Sequence, residues 1–184
     1  DGYVLASWTG SGDYLDLPRA SLTTSGANPY TWASSTTDTR ALQSPDQTTR
    51  RASTWYAYNS FLLKLKFNAA YSGLLHLYGV DWDHKGRAET VQVTTPTSSQ
   101  TQPLTSFADG GWLAFPVTAN PGDTVTITVT RTSGVNALLS GVFLGAGGQP
   151  PTATAPQGDW VGAYGGDGYV LASWTGSGDY LDLP

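Results

Sequence analysis

One eighteen-residue segment occurs twice in this chain and constrains the fold more than any other feature. Residues 1–18, DGYVLASWTGSGDYLDLP, recur without change as residues 167–184, so each residue of the second copy lies 166 positions after its twin. Identity over this length argues against convergence and favours tandem duplication, which is the signature of a repeat protein. We therefore expect the chain to hold one period of a repeat and the beginning of the next.

The duplicated segment divides the chain into three parts. Residues 1–146 are predicted to form one β-sandwich module, and residues 147–157, rich in Pro, Thr and Ala, are predicted to be a semi-rigid linker. Residues 158–184 are predicted to begin the next repeat. The stretch 157–166, QGDWVGAYGG, precedes only the second copy here, and we expect the same ten residues to precede Asp1 in a longer parent protein.

Alternating apolar and polar residues predict a chain made of β-strands. Residues 123–131, DTVTITVTR, alternate strictly, and residues 61–67 and 88–94 show the same period of two. Residues 74–82, 111–117 and 137–144 are apolar enough for central strands, and YVLASW and YLDL predict two short strands at the start. Turn residues separate these segments, so we predict an all-β, antiparallel, jelly-roll-like β-sandwich.

A polar stretch interrupts the strand pattern. Residues 34–54, SSTTDTRALQSPDQTTRRAST, carry charged residues but little apolar periodicity. We predict a long loop there. Long loops in compact domains are often functional, although a solvated excursion is an equally good interpretation.

Composition limits the function classes. The formal net charge is −5 with only 9 Lys+Arg, and no basic stretch occurs, which argues against nucleic acid and anionic membrane surfaces as partners. No apolar run is long enough to span a bilayer, so membrane insertion is not expected. The absence of Cys excludes disulfides and Cys-based zinc sites, and a chain without Cys or Met suits an oxidising exterior. We predict an extracellular or cell-surface protein.

The middle of the chain resembles a known kind of module. The stretches YSGLLHLYGVDWDHKGRAETVQV, FADGGWLAFPV and GDTVTITVTRTSGVNALLSGVFL lie between residues 67 and 144. Together they resemble the jelly-roll, galactose-binding-like β-sandwich modules of secreted bacterial surface proteins and glycoside hydrolases. The resemblance covers less than half of the chain and implies a fold rather than an activity.

Catalytic and metal sites are not expected. His76 lies within a predicted strand, His84 lies in the turn DWDHKG, and a pair formed by Asp81 and Asp83 does not meet the geometry that a glycosidase requires. The spacing Asp81-x-Asp83-x-x-Gly86 is loosely similar to a calcium loop, so a structural Ca²⁺ stays open as an alternative. We favour turn-forming carboxylates, or a charge-assisted pair with Arg87 that fixes the hairpin. We therefore predict no cofactor and no enzyme.

Aromatic residues near turns favour glycan binding as one function. The chain has 7 Trp and 10 Tyr, whose ring faces can stack on sugars while charged neighbours bind hydroxyl groups. The alternative is that these rings fill the core, which we prefer for Trp8, Trp55 and Trp112. The predicted glycan-binding residues are Tyr30, Trp32, Trp82, Asp83 and Arg87, with Tyr56 and Tyr58 as further candidates.

The second copy of the duplicated segment suggests assembly as another function. Both copies have the same affinity for one groove, but only the second follows Trp160, Val161 and Tyr164. It can complete a neighbouring subunit by strand addition, fold back on its own domain, or remain undocked. The predicted assembly residues are Trp160, Val161, Tyr164, Tyr169, Leu171, Trp174, Tyr180 and Leu181.

These observations lead to one principal prediction and one alternative. The principal prediction is a non-catalytic structural or adhesive tandem-repeat module whose partner is another copy of itself and which forms filaments by head-to-tail strand exchange. The alternative is a carbohydrate-binding module that stacks sugars on exposed Trp and Tyr.

Overall fold

Antiparallel β-strands build the whole of the part that the structure describes. The structure is a computed structural model and describes residues 14–15, 18–145, 157–164 and 169–171, with only the backbone of residues 14, 15, 169 and 170. The strands are β1 (Tyr14–Leu15), β2 (Ala20–Ser25), β3 (Asn28–Ala33), β4 (Leu42–Gln43), β5 (Arg50–Ala57), β6 (Ser60–Phe67), β7 (Tyr71–Gly79), β8 (Ala88–Thr94), β9 (Ser99–Thr105), β10 (Gly111–Ala119), β11 (Thr124–Ser133), β12 (Ala137–Leu139), β13 (Gly141–Gly145) and β14 (Tyr169–Leu171).

The strands form three sheets. Sheet I has the order β1-β14-β13-β7-β10, sheet II has the order β2-β6-β11-β8-β9, and sheet III has the order β12-β5-β3, with β4 also paired to β5. All of these strand pairs are antiparallel. The prediction of an all-β, antiparallel β-sandwich is confirmed. Within the described residues, no helix has the length and apolar character needed to cross a membrane.

Strict alternation in sheet II places one face of each strand in the core. Val125, Ile127 and Val129 of β11 are fully buried, and their register partners on β6 and β8 are buried with them. The lysines of β6 point away from this face and are exposed. The alternation predicted for residues 61–67, 88–94 and 123–131 is therefore confirmed, because a half-buried strand needs one apolar and one polar face.

Sheet I is buried on both faces near its middle. Leu75 and Leu77 of β7 belong to the sandwich core, while His76 and Tyr78, which point to the opposite face, are equally buried. A strand covered on both sides has no reason to alternate. This explains why residues 74–82 appear in the sequence as a continuous apolar run.

Two strand predictions need correction. The predicted loop 34–54 contains β4, and its last five residues belong to β5, where Ser53 and Thr54 are buried although they are polar. The hydroxyl of Thr54 donates a hydrogen bond to the carbonyl of Leu139 at 2.9 Å, so this buried polar side chain of β5 has a partner. The run 137–144 is two strands, β12 in sheet III and β13 in sheet I, separated at Ser140.

The strand from the second copy of the duplicated segment lies within this same domain. β14 pairs with β13 on one side, with Val142 opposite Val170, and with β1 on the other side, with Tyr14 opposite Leu171. The side chain of Leu171 is fully buried in the core. Of the two short strands predicted at the start, Tyr14–Leu15 is observed, and YVLASW lies outside the described residues.

Candidate functional site

A tight turn follows β7 and is organised by the buried carboxylate of Asp81. This carboxylate accepts hydrogen bonds from the backbone amides of Lys85, Gly86 and Arg87 at 3.1, 2.9 and 3.2 Å, and it forms an ion pair with the Arg87 guanidinium. The more exposed carboxylate of Asp83 pairs with the same guanidinium. The charge-assisted pair expected from the sequence is confirmed.

Arg87 fixes this turn to the rest of the fold. Its Nε donates a hydrogen bond to Oδ1 of Asn136 at 2.7 Å, which ties the turn to the segment before β12. Burial by itself raises the pKa of Asp81, but the hydrogen bonds from Arg87 and from the amides of Lys85 and Arg87 hold that pKa below its ordinary value. The turn is therefore a rigid, ionised surface feature at neutral pH.

Three aromatic rings form a patch on sheet III, which we call the aromatic surface: Tyr30, Trp32 and Tyr56. Both Tyr30 and Trp32 lie on β3, whose register with β5 shifts between Thr31 and Ala33, on either side of Trp32. The Tyr30 ring is 44% exposed and stands edge-on to Trp32, with ring centroids 5.6 Å apart, and edge-on to Tyr56 at 6.2 Å. The Arg87 guanidinium carbon lies 5.9 Å from the centroid of the Trp32 ring. The aromatic surface is thus in contact with the turn after β7.

A cleft of about 370 Å³ opens beside the aromatic surface. Arg87 forms part of its wall, so the cleft and the Trp32 ring adjoin at this residue. His84 and Ser106 also line it, and both have a positive φ, 53° and 54°, which non-glycine residues adopt infrequently. Further polar atoms in the wall come from Asp81, Thr105 and Ser133.

Trp82 lies on the other side of the turn and carries an arginine on its ring. The guanidinium carbon of Arg40 is 4.5 Å from the ring centroid, and Asp38 holds that guanidinium through an ion pair at 2.8 Å. Arg40 Nη1 also lies 3.3 Å from Nε2 of His84. One face of the indole is therefore covered by a cation, and a sugar ring has only the opposite face for stacking.

The structure links four of the five predicted glycan residues through contacts, although Arg87 among them is buried, and Trp82 is joined to them through the chain. Tyr30 touches Trp32, Trp32 faces Arg87, Arg87 pairs with Asp83, and Trp82 precedes Asp83 in the chain. Tyr56 joins this surface, whereas Tyr58 stands apart with Arg131 on its ring at 4.6 Å.

Sequence reasoning missed the contribution of the polar stretch 34–54 to this site. Arg40 and Asp38 lie in that stretch, and nothing in their spacing indicates that the chain returns to Trp82. The acid and the arginine two residues later are a weak signal of a local pair, and the structure forms that pair.

Metal binding finds no support in the geometry of the turn. The Asp81 carboxylate already accepts three amide hydrogen bonds and an ion pair, so its lone pairs face donors instead of an open cation position. Across residues 18–145 and 157–164, no group of three or more His, Asp and Glu side chains is placed to hold a metal ion.

The two histidines have different surroundings. His76 is completely buried, with its ring 4.7 Å from that of Tyr164, whereas His84 is exposed at the cleft.

Glu89 is a buried acid close to the turn. Its Oε2 accepts a hydrogen bond from the Leu138 amide at 2.9 Å, and its Oε1 has no hydrogen-bond partner. Burial raises the pKa of Glu89 to about 8, although the Leu138 amide and the charge of Arg87 act in the opposite direction. Because Glu89 alternates with Val91 and Val93 along β8, its side chain shares their buried face.

A second functional surface is the outer face of sheet I, which we call the docking groove. It is formed by the rings of His76, Trp112 and Phe143 together with the backbone of residues 39–43. Residues 157–164 fill it. Trp160 is 2% exposed and lies 5.4 Å from Phe143, and Tyr164 lies 4.5 Å from Trp112.

Backbone contacts fix the position of the segment in the docking groove. The amide of Gly158 donates to the carbonyl of Thr39 at 2.8 Å, and its carbonyl accepts from the amide of Gln43 at 3.1 Å. The two indole nitrogens reinforce this pairing, since Trp160 donates to the Gln43 carbonyl and Trp112 to the Gln157 carbonyl, both at 2.9 Å. Gly158 is required here, because a Cβ at this position would lie 1.9 Å from the Ala41 carbonyl oxygen.

The predicted assembly residues are therefore placed in part. Trp160, Tyr164 and Leu171 are buried against their own domain, and Val161 is partly buried beside them. The backbone of Tyr169 lies in β14. Asp159 adds an ion pair with Arg50, and the docked segment begins one residue earlier than the predicted repeat boundary, at Gln157. Trp174, Tyr180 and Leu181 lie outside the described residues.

Comparison with known proteins gives two distant structural likenesses. No protein-family model and no curated protein matches the chain. A family 35 carbohydrate-binding module from Clostridium thermocellum is similar with a TM-score of 0.41 and 11% identity, covering 64% of this chain and 86% of that module. TmCBM61 in complex with β-1,4-galactotriose has the same TM-score and identity, covering 71% of this chain and 86% of that structure. Likenesses this distant do not identify a ligand for this chain.

Proposed function

We propose that the chain is a non-catalytic, extracellular sugar-binding module, and that a saccharide binds across the aromatic surface and the adjoining cleft. The observation that carries the proposal is the position of Tyr30, which is 44% exposed and packs against Trp32, whose ring faces Arg87 in the wall of the polar cleft. Sugars present C–H groups on their ring faces and hydroxyls at their edges. Aromatic ring faces pack against the C–H groups, and neighbouring polar groups bind the hydroxyls, so the two together match a saccharide.

The polar groups of the cleft have the chemistry that sugar hydroxyls require. Asp83 and His84 are exposed at the turn, and Thr105 and Ser106 lie at the opposite wall. Each can exchange hydrogen bonds with a hydroxyl group. Because the turn is already held by Asp81 and Arg87, little ordering entropy is lost when a ligand arrives.

Such a site is expected to bind weakly. Two aromatic contacts of about 1 kcal/mol each and a few solvent-exposed hydrogen bonds exceed the entropy lost on association by only a small margin. We expect a Kd of roughly 0.1–1 mM for a single oligosaccharide. Several modules in one chain would raise the avidity for a polysaccharide.

Affinity electrophoresis in gels that contain different polysaccharides tests the proposal. At least one polysaccharide is expected to retard the wild-type chain, and Tyr30→Ala is expected to abolish the retardation without changing the unfolding midpoint. Tyr58→Ala is the matched control, because Tyr58 is also exposed but packs on Arg131 instead of the aromatic surface. Equal retardation of Tyr30→Ala and wild type would show that the aromatic surface is not the sugar-binding site.

A structural repeat unit of a longer surface protein is the second candidate function. The identity of residues 1–18 and 167–184, together with the burial of Trp160, Tyr164 and Leu171, favours it. Adhesion through sugar binding and length through repetition are compatible in one protein. Electron microscopy of a chain with several repeats is the direct measurement, and regular filaments are the expected result.

A further inference from the structure

The docking groove presents an apolar face that the sandwich itself does not cover. His76, Trp112 and Phe143 point away from the main core, and residues 157–164 exclude water from them. Eleven residues separate Gly145, the end of β13, from Gln157, the first docked residue that the structure describes. The contacts that the structure describes join the docking groove to residues 157–164.

β14 lies between β13 and β1, and we call this position in sheet I the β14 slot. The sequence that occupies the slot occurs twice in the chain. β14 places Leu171 opposite Tyr14 and Val170 opposite Leu15. Residues 3–5 have the identical sequence YVL, so their side chains meet the same requirements. The second copy follows the stretch that contains Trp160 and Tyr164, whose side chains are buried in the docking groove.

We infer that the docking groove and the β14 slot form one recognition site for residues 157–164 and 169–171, and that a second copy of this chain can supply these residues. An identical segment from another chain makes the same contacts with Phe143, Trp112 and the backbone of residues 39–43. The covalent connection adds only effective concentration, which is in the millimolar range for short flexible linkers. Below that concentration each chain fills its own site.

Charge and shape both make the site selective for this occupant. Asp159 pairs with Arg50 at the rim, and a glycine is needed at position 158 because the chain passes directly against the Ala41 carbonyl. A generic apolar strand satisfies neither condition. In a chain of repeats, each domain thus has two candidate donors, the segment before it and the segment after it.

Cleavage of the connection converts docking into a bimolecular equilibrium that can be measured. A protease site placed between residues 147 and 156 of the full chain is cut after folding. The nicked protein is expected to elute as a single species, and its unfolding midpoint is expected to fall on dilution, unlike that of the intact chain.

Exchange between copies is then followed directly. Nicked protein with a fluorescently labelled C-terminal fragment is mixed with nicked protein that is uniformly 15N-labelled, so that the two N-terminal bodies differ in mass, and native mass spectrometry is expected to find the fluorescent fragment on both bodies in proportion to their amounts. A labelled fragment with Trp160→Ala and Tyr164→Ala is the matched control and is expected to exchange at least tenfold less. Failure of the labelled wild-type fragment to move, or equal exchange of the control, would overturn the proposal.

The duplicated sequence provides a second test in the intact chain. Leu171→Asp and Leu5→Asp are the same change in the same eighteen-residue context. Because Leu171 is fully buried in the β14 slot, its substitution is expected to lower the unfolding midpoint and to open the site to added fragment 157–184. Leu5→Asp is expected to leave the site closed to that fragment. Equal behaviour of the two variants would show that the slot does not select the second copy.

Discussion

Two buried acids near the turn after β7 are stabilised in opposite ways. Asp81 is surrounded by amides and by Arg87, so the folded protein favours its charged form. Glu89, the only glutamate in the chain, receives one hydrogen bond from an amide and is otherwise enclosed, so the folded protein favours its neutral form. The two residues therefore respond differently to substitution and to pH.

Removal of the Arg87 guanidinium is expected to destabilise the protein strongly. Arg87→Ala leaves the buried carboxylate of Asp81 without its cation, and such a change costs roughly 3–5 kcal/mol. Chemical denaturation measures this loss. Asp83→Asn is the control, because the Asp83 carboxylate is one-third exposed and its pairing is expected to contribute about 1 kcal/mol or less. If the two variants lost the same free energy of unfolding, burial of the ion pair between Arg87 and Asp81 would not contribute to stability.

The pKa of Glu89 predicts a protein that loses stability as the pH rises. The folded-state pKa of about 8 lies above the ordinary glutamate value of 4.5. Between pH 4.5 and pH 8 the folded state therefore retains a proton that the unfolded state releases. The free energy of unfolding therefore falls as the pH increases across this window. Glu89→Gln is expected to flatten the dependence and to raise the unfolding midpoint at pH 8, measured by denaturation at several pH values. An unchanged pH profile would contradict the assignment.

Among the elements, the docked segment differs from the strands in the way it is held. The strands of the sandwich use ladders of backbone hydrogen bonds, whereas residues 157–164 use two indole donors, one ion pair and a close backbone approach at Gly158. These few contacts hold in place a segment that buries a large apolar area. Single substitutions in this segment are therefore expected to release it while the sandwich stays folded.

Gly158→Ala is the sharpest of these substitutions. The added methyl group would lie 1.9 Å from the Ala41 carbonyl oxygen, so either the segment or the loop has to move. Hydrogen exchange of the Gly158 and Gln43 amides is expected to increase by several orders of magnitude. Gly162→Ala is the control, since a Cβ there meets nothing within 4 Å and the positive φ of 81° costs only about 1–2 kcal/mol. If the amides of residue 158 and Gln43 kept their protection in Gly158→Ala, the close approach of position 158 to the Ala41 carbonyl oxygen would be contradicted.

The elements also show where sequence reasoning succeeds and where it stops. Alternation found β6, β8 and β11, because these strands have one face in the core and one in water. It missed the start of β5, where the polar residues Ser53 and Thr54 are buried and Thr54 is hydrogen-bonded. Tyr30 and Trp32 were predicted as glycan-binding residues from the sequence, but Arg40 was not singled out, because its approach to Trp82 depends on a long-range turn of the chain.

The location of the duplicated segment was beyond any reading of the sequence. Two identical copies have identical propensities, so the sequence alone left three placements open for the second one. The answer depends on the surface that His76, Trp112 and Phe143 form together, and these residues lie on three strands far apart in the chain.

At the scale of the whole molecule, the fold is a sandwich with an added third layer on sheet I. This layer consists of residues 157–164 and the loop with Arg40, whose carbonyl accepts a hydrogen bond from the Tyr78 hydroxyl at 2.7 Å. The added layer explains how residues far apart in sequence stabilise one core.

Deletion of residues 157–184 is expected to destabilise the whole domain. The burial of Trp160, Tyr164 and Leu171 contributes about 1.5–3 kcal/mol for each side chain, so a loss of roughly 5 kcal/mol or more is expected, a large part of a typical domain's stability. Thermal unfolding measures it. A chain that ends at Leu171 is the control, because it keeps every docked residue. Equal midpoints for the deletion and the wild-type chain would contradict a stabilising role.

The pairing of β1 with β14 has a mechanical consequence. Tyr14 lies opposite Leu171, so the start of β1 and the end of β14 lie at the same end of one antiparallel pair. Tension applied between Tyr14 and Leu171 would therefore separate the two strands one hydrogen bond at a time instead of shearing the ladder as a unit. Pulling at these two residues is expected to open the pair at low force, in the way that a zipper opens.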